Sequence, residues 1–199
     1  MSTVIRQQDL IESVADALQY ISYYHPVDFI QAMNEAYEKE ANPAAKDAMA
    51  QILINSRMCA EGHRPICQDT GIVTAFLRIG MGVQWEGELS LADKVHEGVR
   101  RADMDPDTPL RASILDDPDG ARRNTGDNTP CVIHYDMVPG DTLEVHLAAK
   151  GGGSEAKTKF AMLNPSDSVV DWVLKMVPVM GAGWCPPGML GIGIGGTAE

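Results

Sequence analysis

The sequence predicts an α+β fold in one domain over residues 1–199, with an N-terminal helical subdomain packed on a small mixed or antiparallel sheet with flanking helices. Apolar residues recur at helical spacing within residues 1–62, whereas residues 72–79 and two later segments favour strands. A chain of 199 residues buries about 70% of its unfolded surface on folding, which supports one core. The 44% apolar fraction excludes wholesale disorder.

Three helices are predicted within residues 1–62. The first begins at an Asp9 cap, with Glu12 placed as in a capping box. Pro26 takes the first position of the second helix, and Asn42-Pro43 starts the third. The apolar positions that define their faces are Leu10, Ile11, Val14, Leu18, Ile21, Ile30, Met33, Tyr37, Met49, Ile52 and Leu53. We expect these helices to provide packing rather than chemistry.

The middle of the chain predicts strands around one helix and a long loop. Residues 72–79 predict a strand, and Ser90 caps a helix in which Asp93 completes a capping box. Residues 103–128 are rich in Asp, Pro and Gly and predict a long ordered loop. Residues 131–150, which contain a Pro-Gly-Asp turn, predict a β-hairpin.

The last part of the chain predicts one more helix and a final strand. Ser166 is the expected helix cap, and Pro178 is the expected helix end. Residues 188–196 predict a strand that runs into a glycine turn. The chain stops at Glu199, where a strand–glycine loop–helix unit is expected to continue, so we expect a domain that is truncated at its C-terminus.

Charge and the length of apolar runs argue against two classes of partner. The chain has 28 acidic and 16 basic residues, a formal net charge of −12, whereas nucleic-acid binding requires clustered Lys and Arg. No apolar run is long enough to span a bilayer, and the first residues lack the pattern of a signal peptide. The sequence therefore predicts a cytoplasmic protein without nucleic-acid or membrane partners.

The cysteines do not form a recognisable local site. Cys59, Cys67, Cys131 and Cys185 include no CxxC pair, and four cysteines in a chain of this length do not predict a disulfide scaffold. From the residues alone, two interpretations stay open. The thiols are either ligands gathered from distant loops or small apolar groups buried in the core.

Three glycine-marked segments carry side chains that turns alone do not require. PICQDTG (residues 65–71) places a thiol, an amide and a carboxylate next to one another. KGGGSEAK (residues 150–157) exposes backbone N–H groups that can hold a phosphate or carboxylate, although a flexible linker is the alternative. GWCPPG (residues 183–188) stiffens the chain after Cys185, as in some iron–sulfur ligand loops.

Five motifs occur in an order that resembles the class I fumarate hydratases, which are iron–sulfur hydro-lyases related to the L-tartrate dehydratase alpha subunit. The motifs are PICQDTG, LRAS, NTGDNTP, AKGGGSEAK and WCPPGMLGIGIGGTAE. The resemblance covers nearly the whole chain and implies the N-terminal portion of such an enzyme. It implies reversible hydration of fumarate to L-malate, a reaction of the tricarboxylic acid cycle. L-tartrate or another hydroxy-diacid is the alternative substrate.

The resemblance also implies a 4Fe-4S cluster that acts as a Lewis acid. Cys67 and Cys185 match two of its ligands, and the third ligand is expected outside this chain. Cys59 and Cys131 fall outside the ligand motifs and are expected to be structural. The implied partners are a small dicarboxylate and, in a homodimer, the C-terminal part of the enzyme. The isolated chain is expected to be inactive, and a non-catalytic folding or assembly domain is the remaining alternative.

Carried over motif by motif, the resemblance implies a set of residues that contact substrate: Gln68, Asp69, Arg111, Gly153, Ala156, Lys157 and Thr158. Asp69 is also the implied catalytic residue, with a proton-handling or orienting carboxylate. Ala156 stands where the family often has Asn, so a side-chain amide is lost at this position. A dicarboxylate needs cations, which Arg111 and Lys157 would supply.

Overall fold

The computed structural model describes residues 3–181, 183–184 and 188–197, and it confirms the predicted α+β class. The chain divides into two compact units, Met1–Gly152 and Gly153–Glu199. Within the described ranges, no helix is both long and apolar enough to cross a membrane.

The elements are named in chain order. They are β1 (Val4–Ile5), α1 (Gln7–Tyr23), α2 (Val27–Lys39), α3 (Pro43–Gly62), β2 (Ile72–Gly80), β3 (Gln84–Trp85), α4 (Leu91–Asp103), β4 (Leu115–Asp116), β5 (Arg123–Asn124), β6 (Val132–Val138), β7 (Leu143–Lys150), α5 (Gly152–Lys157) and α6 (Val169–Met180). The elements up to β7 lie in the first unit, α5 starts at its last residue, and α6 lies in the second.

A mixed three-stranded sheet in the order β6–β2–β7 forms the centre of the first unit. β2 pairs in parallel with β6 and antiparallel with β7. The prediction that β6 and β7 pair as a hairpin is therefore wrong, because β2 lies between them. Their connecting turn passes over the end of β2, where Gly80 N–H donates to Thr142 O at 2.8 Å and Met81 N–H donates to Val138 O at 2.9 Å.

One face of β2 contributes to the core. Alternate residues of the strand are at most 5% exposed, as the period of two requires: Val73, Ala75, Leu77 and Ile79. They share one apolar cluster with α1 (Leu10, Val14 and Leu18) and α4 (Val95, Val99 and Ala102). The opposite face of β2 carries exposed side chains, including Phe76 and Arg78. Since both ends of β2 are fixed by this packing, the loops that precede and follow it are anchored to the core.

The predicted capping box at the start of α1 is wrong. α1 begins at Gln7, with Arg6 as the N-cap residue, because β1 ends just before it. Asp9 lies in the first turn and accepts a hydrogen bond from Arg6 Nε at 2.8 Å. Glu12 accepts from Gln8 Nε2 at 2.6 Å instead of capping the helix.

The two following helices begin close to their predicted positions. α2 begins at Val27 with Pro26 as its N-cap, one residue later than predicted. The start of α3 is confirmed, since Asn42 Oδ1 accepts from Ala44 N–H at 3.0 Å and Pro43 is the first helical residue. Pro suits this position because its missing N–H would have no partner inside the helix.

α4 confirms its predicted cap and packs closely against α1. Ser90 Oγ accepts from Asp93 N–H at 3.1 Å. Gly98 of α4 faces α1, and a Cβ at this position would lie 2.6 Å from Val14 Cβ and 2.8 Å from Ile11 O. Only glycine allows the two helices to approach this closely.

The segment between α4 and β6 is the predicted long loop. It is mostly irregular and contains one short antiparallel pair, β4 with β5. Asp105 Oδ1 accepts from Thr108 N–H at 2.8 Å, and Asp117 Oδ2 accepts from Ala121 N–H at 2.7 Å. These side-chain bonds to the backbone order the loop, as Asp commonly does in turns.

In the second unit, both predicted boundaries of α6 are corrected. Ser168 rather than Ser166 caps the helix, accepting from Asp171 N–H at 3.2 Å. Pro178 lies inside the helix, which continues to Met180. A proline near a helix end removes only one backbone hydrogen bond, so the last turn tolerates it here.

The predicted strand over residues 188–196 is also corrected. The structure assigns no strand to residues 188–197, all of which it describes. Four glycines interrupt the segment from Gly191 onward, and glycine weakens a strand that has no paired neighbour. The glycine turn is present, with φ of 90° at Gly195 and 86° at Gly196.

The close contact at Gly98 gives a test of the packing between α1 and α4. We expect Gly98→Ala to lower the free energy of unfolding by about 1–3 kcal/mol, because the added methyl overlaps Val14. Gly62→Ala is the matched control, since the atom nearest to its added methyl is Arg64 Cγ at 3.7 Å. Denaturant unfolding of both variants measures the difference. Equal stability of the two variants would contradict the packing described here.

Candidate functional site

The loop between α3 and β2 presents Cys67, Gln68 and Asp69. Two helices hold this loop immediately before the cysteine. Ile66 N–H donates to Ser22 O of α1 at 2.8 Å, and Asn55 Nδ2 of α3 donates to Ile66 O at 3.0 Å. Because both backbone groups of Ile66 are bound, the position of the next residue, Cys67, follows from the helices.

The Asp69 carboxylate accepts hydrogen bonds from three segments of the first unit. Its Oδ1 accepts from Gly71 N–H at 3.1 Å and from the Ser113 hydroxyl at 3.0 Å. Its Oδ2 accepts from Gly152 N–H at 2.7 Å. The glycine-rich segment that starts at Gly151 therefore holds a carboxylate of this chain. Rather than forming an open loop or linker, that segment begins the six-residue helix α5.

The Thr70 hydroxyl makes two hydrogen bonds to the main chain of Arg111, one as donor and one as acceptor. The Thr70 hydroxyl donates to Arg111 O at 2.7 Å and accepts from Arg111 N–H at 3.0 Å. The backbone of Arg111 is thereby fixed next to the Asp69 loop, while the residue itself is exposed. The structure thus places two of the predicted site residues, Asp69 and Arg111, on adjoining loops.

Asn128 lies beneath these loops and is 1% exposed. Its Oδ1 accepts from Ser113 N–H at 2.8 Å, and its Nδ2 donates to Gly71 O at 2.9 Å. The carboxyl group of Asp103, buried at the end of α4, lies close to the Asn128 amide. Burial raises the pKa of Asp103 to about 6, while the Asn128 amide acts to lower this pKa and the negative charge of nearby Asp127 acts to raise it.

The three cysteines that the structure describes lie in different surroundings. Cys59 and Cys131 are buried, and burial raises the pKa of both thiols, to about 11 for Cys131. Cys67 is partly exposed, and its Sγ lies 3.5 Å from Gln68 Oε1. Cys185, the second ligand expected from the sequence, lies outside the described residues. In the described part of the chain, no three His, Cys, Asp or Glu side chains are grouped to hold a metal ion.

The remaining predicted site residues lie in the second unit. Gly153, Ala156 and Lys157 belong to α5, and Thr158 follows it. The turn that ends the helix is closed by a hydrogen bond from Thr158 N–H to Glu155 O at 3.1 Å. This places the four residues in one short segment that begins one residue after Gly152.

Sequence reasoning missed Ser113, Thr70 and Asn128 as parts of the site. All three residues lie in the motifs LRAS, QDTG and DNTP, but the resemblance implies no role for them. A polar residue inside each motif was the available signal. Which backbone group each side chain would bind could not be read from spacing, because Asn128 and Gly71 are 57 positions apart.

Comparisons with known proteins bear on this site. The family described as fumarate hydratase (Fumerase) matches residues 11–199. A putative L(+)-tartrate dehydratase subunit alpha of Methanocaldococcus jannaschii is 32% identical over 192 residues, covering 94% of this chain and 67% of that protein. The L(+)-tartrate dehydratase subunit alpha of Escherichia coli K12 is 28% identical over 198 residues, covering 96% of this chain and 63% of that protein. The chain therefore spans about two thirds of the length of these relatives.

The buried carboxyl of Asp103 makes the stability of the fold depend on pH, and this dependence can be tested. Its folded pKa of about 6 exceeds the ordinary value of 3.8, so its ionisation destabilises the fold progressively from about pH 4 to 6. We expect the melting temperature of Asp103→Asn, relative to the unsubstituted protein, to rise over this range and level off above it. Thermal unfolding from pH 4 to pH 8 measures this difference.

Asp105→Asn is the control, because the pKa of Asp105 is shifted in the direction opposite to that of Asp103. Hydrogen bonds from Thr108 lower the pKa of Asp105, so its charge stabilises the fold at neutral pH and that benefit is lost as the pH falls. We expect the destabilisation by Asp105→Asn to shrink on acidification. A stability difference for Asp103→Asn that does not change with pH would contradict its assignment as a buried, titrating carboxyl.

Proposed function

The chain belongs to the fumarate hydratase (Fumerase) family of hydro-lyases, and from this premise we propose that it carries part of the site at which fumarate and L-malate are interconverted. The observation that supports the proposal is the placement of three chemically suited residues on adjoining loops of the first unit. A partly exposed thiol, a carboxylate with both oxygens bound, and an exposed guanidinium lie on adjoining loops at Cys67, Asp69 and Arg111. Such a set suits a negatively charged diacid that reacts next to a metal cluster.

A 4Fe-4S cluster is the proposed cofactor, and the donor chemistry of Cys67 fits it. Cluster ligands are thiolates, and Cys67 is the partly exposed cysteine among the three that the structure describes. Cys59 and Cys131 do not fit, because both are buried and burial raises the pKa of both thiols, which disfavours the thiolate form. Cys185 is the second proposed ligand, and the third would come from outside this chain. When bound, the cluster would supply a Lewis acid for the substrate hydroxyl.

Arg111 is the proposed anchor for one carboxylate of the substrate. Because Thr70 holds the main chain of Arg111, the guanidinium can present its paired donors without the loop having to be ordered on binding. A bidentate grip of this kind orients a carboxylate as well as attracting it. Gln68 lies on the adjoining loop and is the proposed amide contact to substrate.

Residues of α5 are the proposed second anchor. We carry over Gly153, Ala156, Lys157 and Thr158 as proposed substrate contacts of the second unit, among which the Gly153 N–H and the Lys157 ammonium have the chemistry to bind a carboxylate. Two cations for two carboxylates match the charge of a diacid, which a chain of net charge −12 would otherwise repel.

For Asp69 we propose an orienting role in catalysis. Three donors already bind its carboxylate, so both of its oxygens are engaged by groups of this chain. A carboxylate held in this way is better suited to fixing neighbouring groups than to giving and taking a proton. The proton transfers would then fall to groups outside the described site.

L-tartrate is the second candidate substrate, favoured by the names of the relatives. Both relatives reported above are named as alpha subunits of L(+)-tartrate dehydratase. By the same reasoning, we propose that the chain works with a partner that completes the site, either a second subunit or the C-terminal part of the enzyme in a homodimer.

Turnover by the complete enzyme, purified without oxygen, tests the function and separates the two substrates. Faster dehydration of L-malate than of L-tartrate supports the fumarate assignment, and the reverse supports the tartrate assignment. Turnover of neither diacid, together with no bound iron, would overturn the proposal in favour of a folding or assembly domain.

Cys67→Ala tests the ligand assignment. We expect the variant to lose most of its bound iron and sulfide and its turnover, because a cluster ligand is removed. Cys131→Ala is the matched control, since it deletes a thiol that is buried and neutral. Iron and sulfide per chain are measured after anaerobic reconstitution. Normal iron content and turnover in Cys67→Ala would show that this cysteine is not a ligand.

A further inference from the structure

We propose that Asn128 is a positioning residue that holds the Asp69 loop and the Arg111 loop in one fixed arrangement; this inference rests on the proposed function. Asn128 touches no proposed substrate or cluster group itself. It would act through the backbone of two residues, each two positions after a proposed site residue: Gly71 after Asp69, and Ser113 after Arg111.

The side-chain amide of Asn128 bridges these two loops directly. It donates to Gly71 O at 2.9 Å and accepts from Ser113 N–H at 2.8 Å. The direction of the amide is unambiguous, because its NH₂ group must face a carbonyl and its oxygen must face an N–H. At 1% exposure, water cannot replace either bond without entering the core.

These contacts close a ring of hydrogen bonds that includes the Asp69 carboxylate. The Ser113 N–H donates to Asn128 Oδ1, and the Ser113 hydroxyl donates to Asp69 Oδ1 at 3.0 Å. The Gly71 N–H donates to the same Oδ1 at 3.1 Å, and the Gly71 carbonyl accepts from Asn128 Nδ2. In a closed ring, no member can move without disturbing two bonds. The amide therefore couples the orientation of Asp69 to the path of the Arg111 loop.

The backbone of Asn128 explains how its side chain reaches both loops. Its φ is 61°, in the left-handed region, which Asn tolerates better than most residues. Asn128 lies in the long loop between α4 and β6, as do Arg111 and Ser113, and its buried side chain reaches from there to the Asp69 loop.

Asn128→Gly in the complete enzyme removes the amide without backbone strain, since glycine adopts positive φ freely. We expect kcat/KM to fall about 10- to 100-fold, as for a displacement of about 1 Å at a site. The rise in KM should exceed the fall in kcat, because the Arg111 anchor is displaced. Amide hydrogen exchange at Ser113 should be at least about tenfold faster, as expected when a buried hydrogen bond is lost.

Asn42→Gly is the matched control. It removes another Asn side chain that accepts backbone hydrogen bonds, at the start of α3, and glycine at a helix cap costs little stability. We expect its kcat/KM to stay within about twofold of the unsubstituted enzyme and its Ser113 exchange to be unchanged. This separates the effect of the Asn128 bridge from the loss of an asparagine–backbone contact elsewhere in the chain.

Two results would overturn the inference: unchanged exchange at Ser113 in Asn128→Gly, or faster exchange with kcat/KM equal to that of Asn42→Gly. Failure of the proposed function is distinct from both, because the unsubstituted enzyme would then turn over neither L-malate nor L-tartrate. In that event, the exchange at Ser113 decides the inference: faster exchange supports the bridge between the loops, and unchanged exchange rejects it.

Discussion

The Asp69 carboxylate is the contact on which the arrangement of the candidate site depends. It binds Gly71 in its own loop, Ser113 in the long loop, and Gly152 at the start of α5. These segments are far apart in sequence and have little regular structure of their own. Hydrogen bonds to a charged carboxylate are stronger than neutral ones, which suits a junction between irregular segments. Arg111 lies on one of the loops that this carboxylate joins, whereas Cys67 is placed by α1 and α3 through the backbone of Ile66.

The sequence was sufficient for the elements whose signals are local. The caps at Asn42 and Ser90 were predicted because a cap and its partner lie within three residues of each other. The arrangement of β6 and β7 was predicted wrongly, because a short turn between two strands normally indicates a hairpin. Only the tertiary structure shows that β2 takes the place between them. The strand signal after Gly188 failed for a related reason, because it came without a pairing partner.

In the candidate site too, the residues with a local sequence signal could be predicted, and those defined by tertiary contacts could not. Cys67 and Asp69 could be singled out because unusual side chains stand together in one turn, and Arg111 through the resemblance of its motif. Ser113 and Asn128 could not, because their importance lies in which backbone groups they reach across the fold. A buried amide that bonds two distant loops leaves no periodicity and no characteristic spacing. Such residues emerge only when each buried polar atom is traced to its partner.

Amide hydrogen exchange in Asp69→Asn is the most direct test that this carboxylate joins the loops. The substitution keeps the shape of the side chain but removes its charge and turns one acceptor into a donor. The account predicts exchange at least about tenfold faster at whichever of Gly71 and Gly152 faces the new NH₂ group, while the amides of β2 keep their protection. Unchanged exchange at both glycines, even with turnover lost, would contradict it.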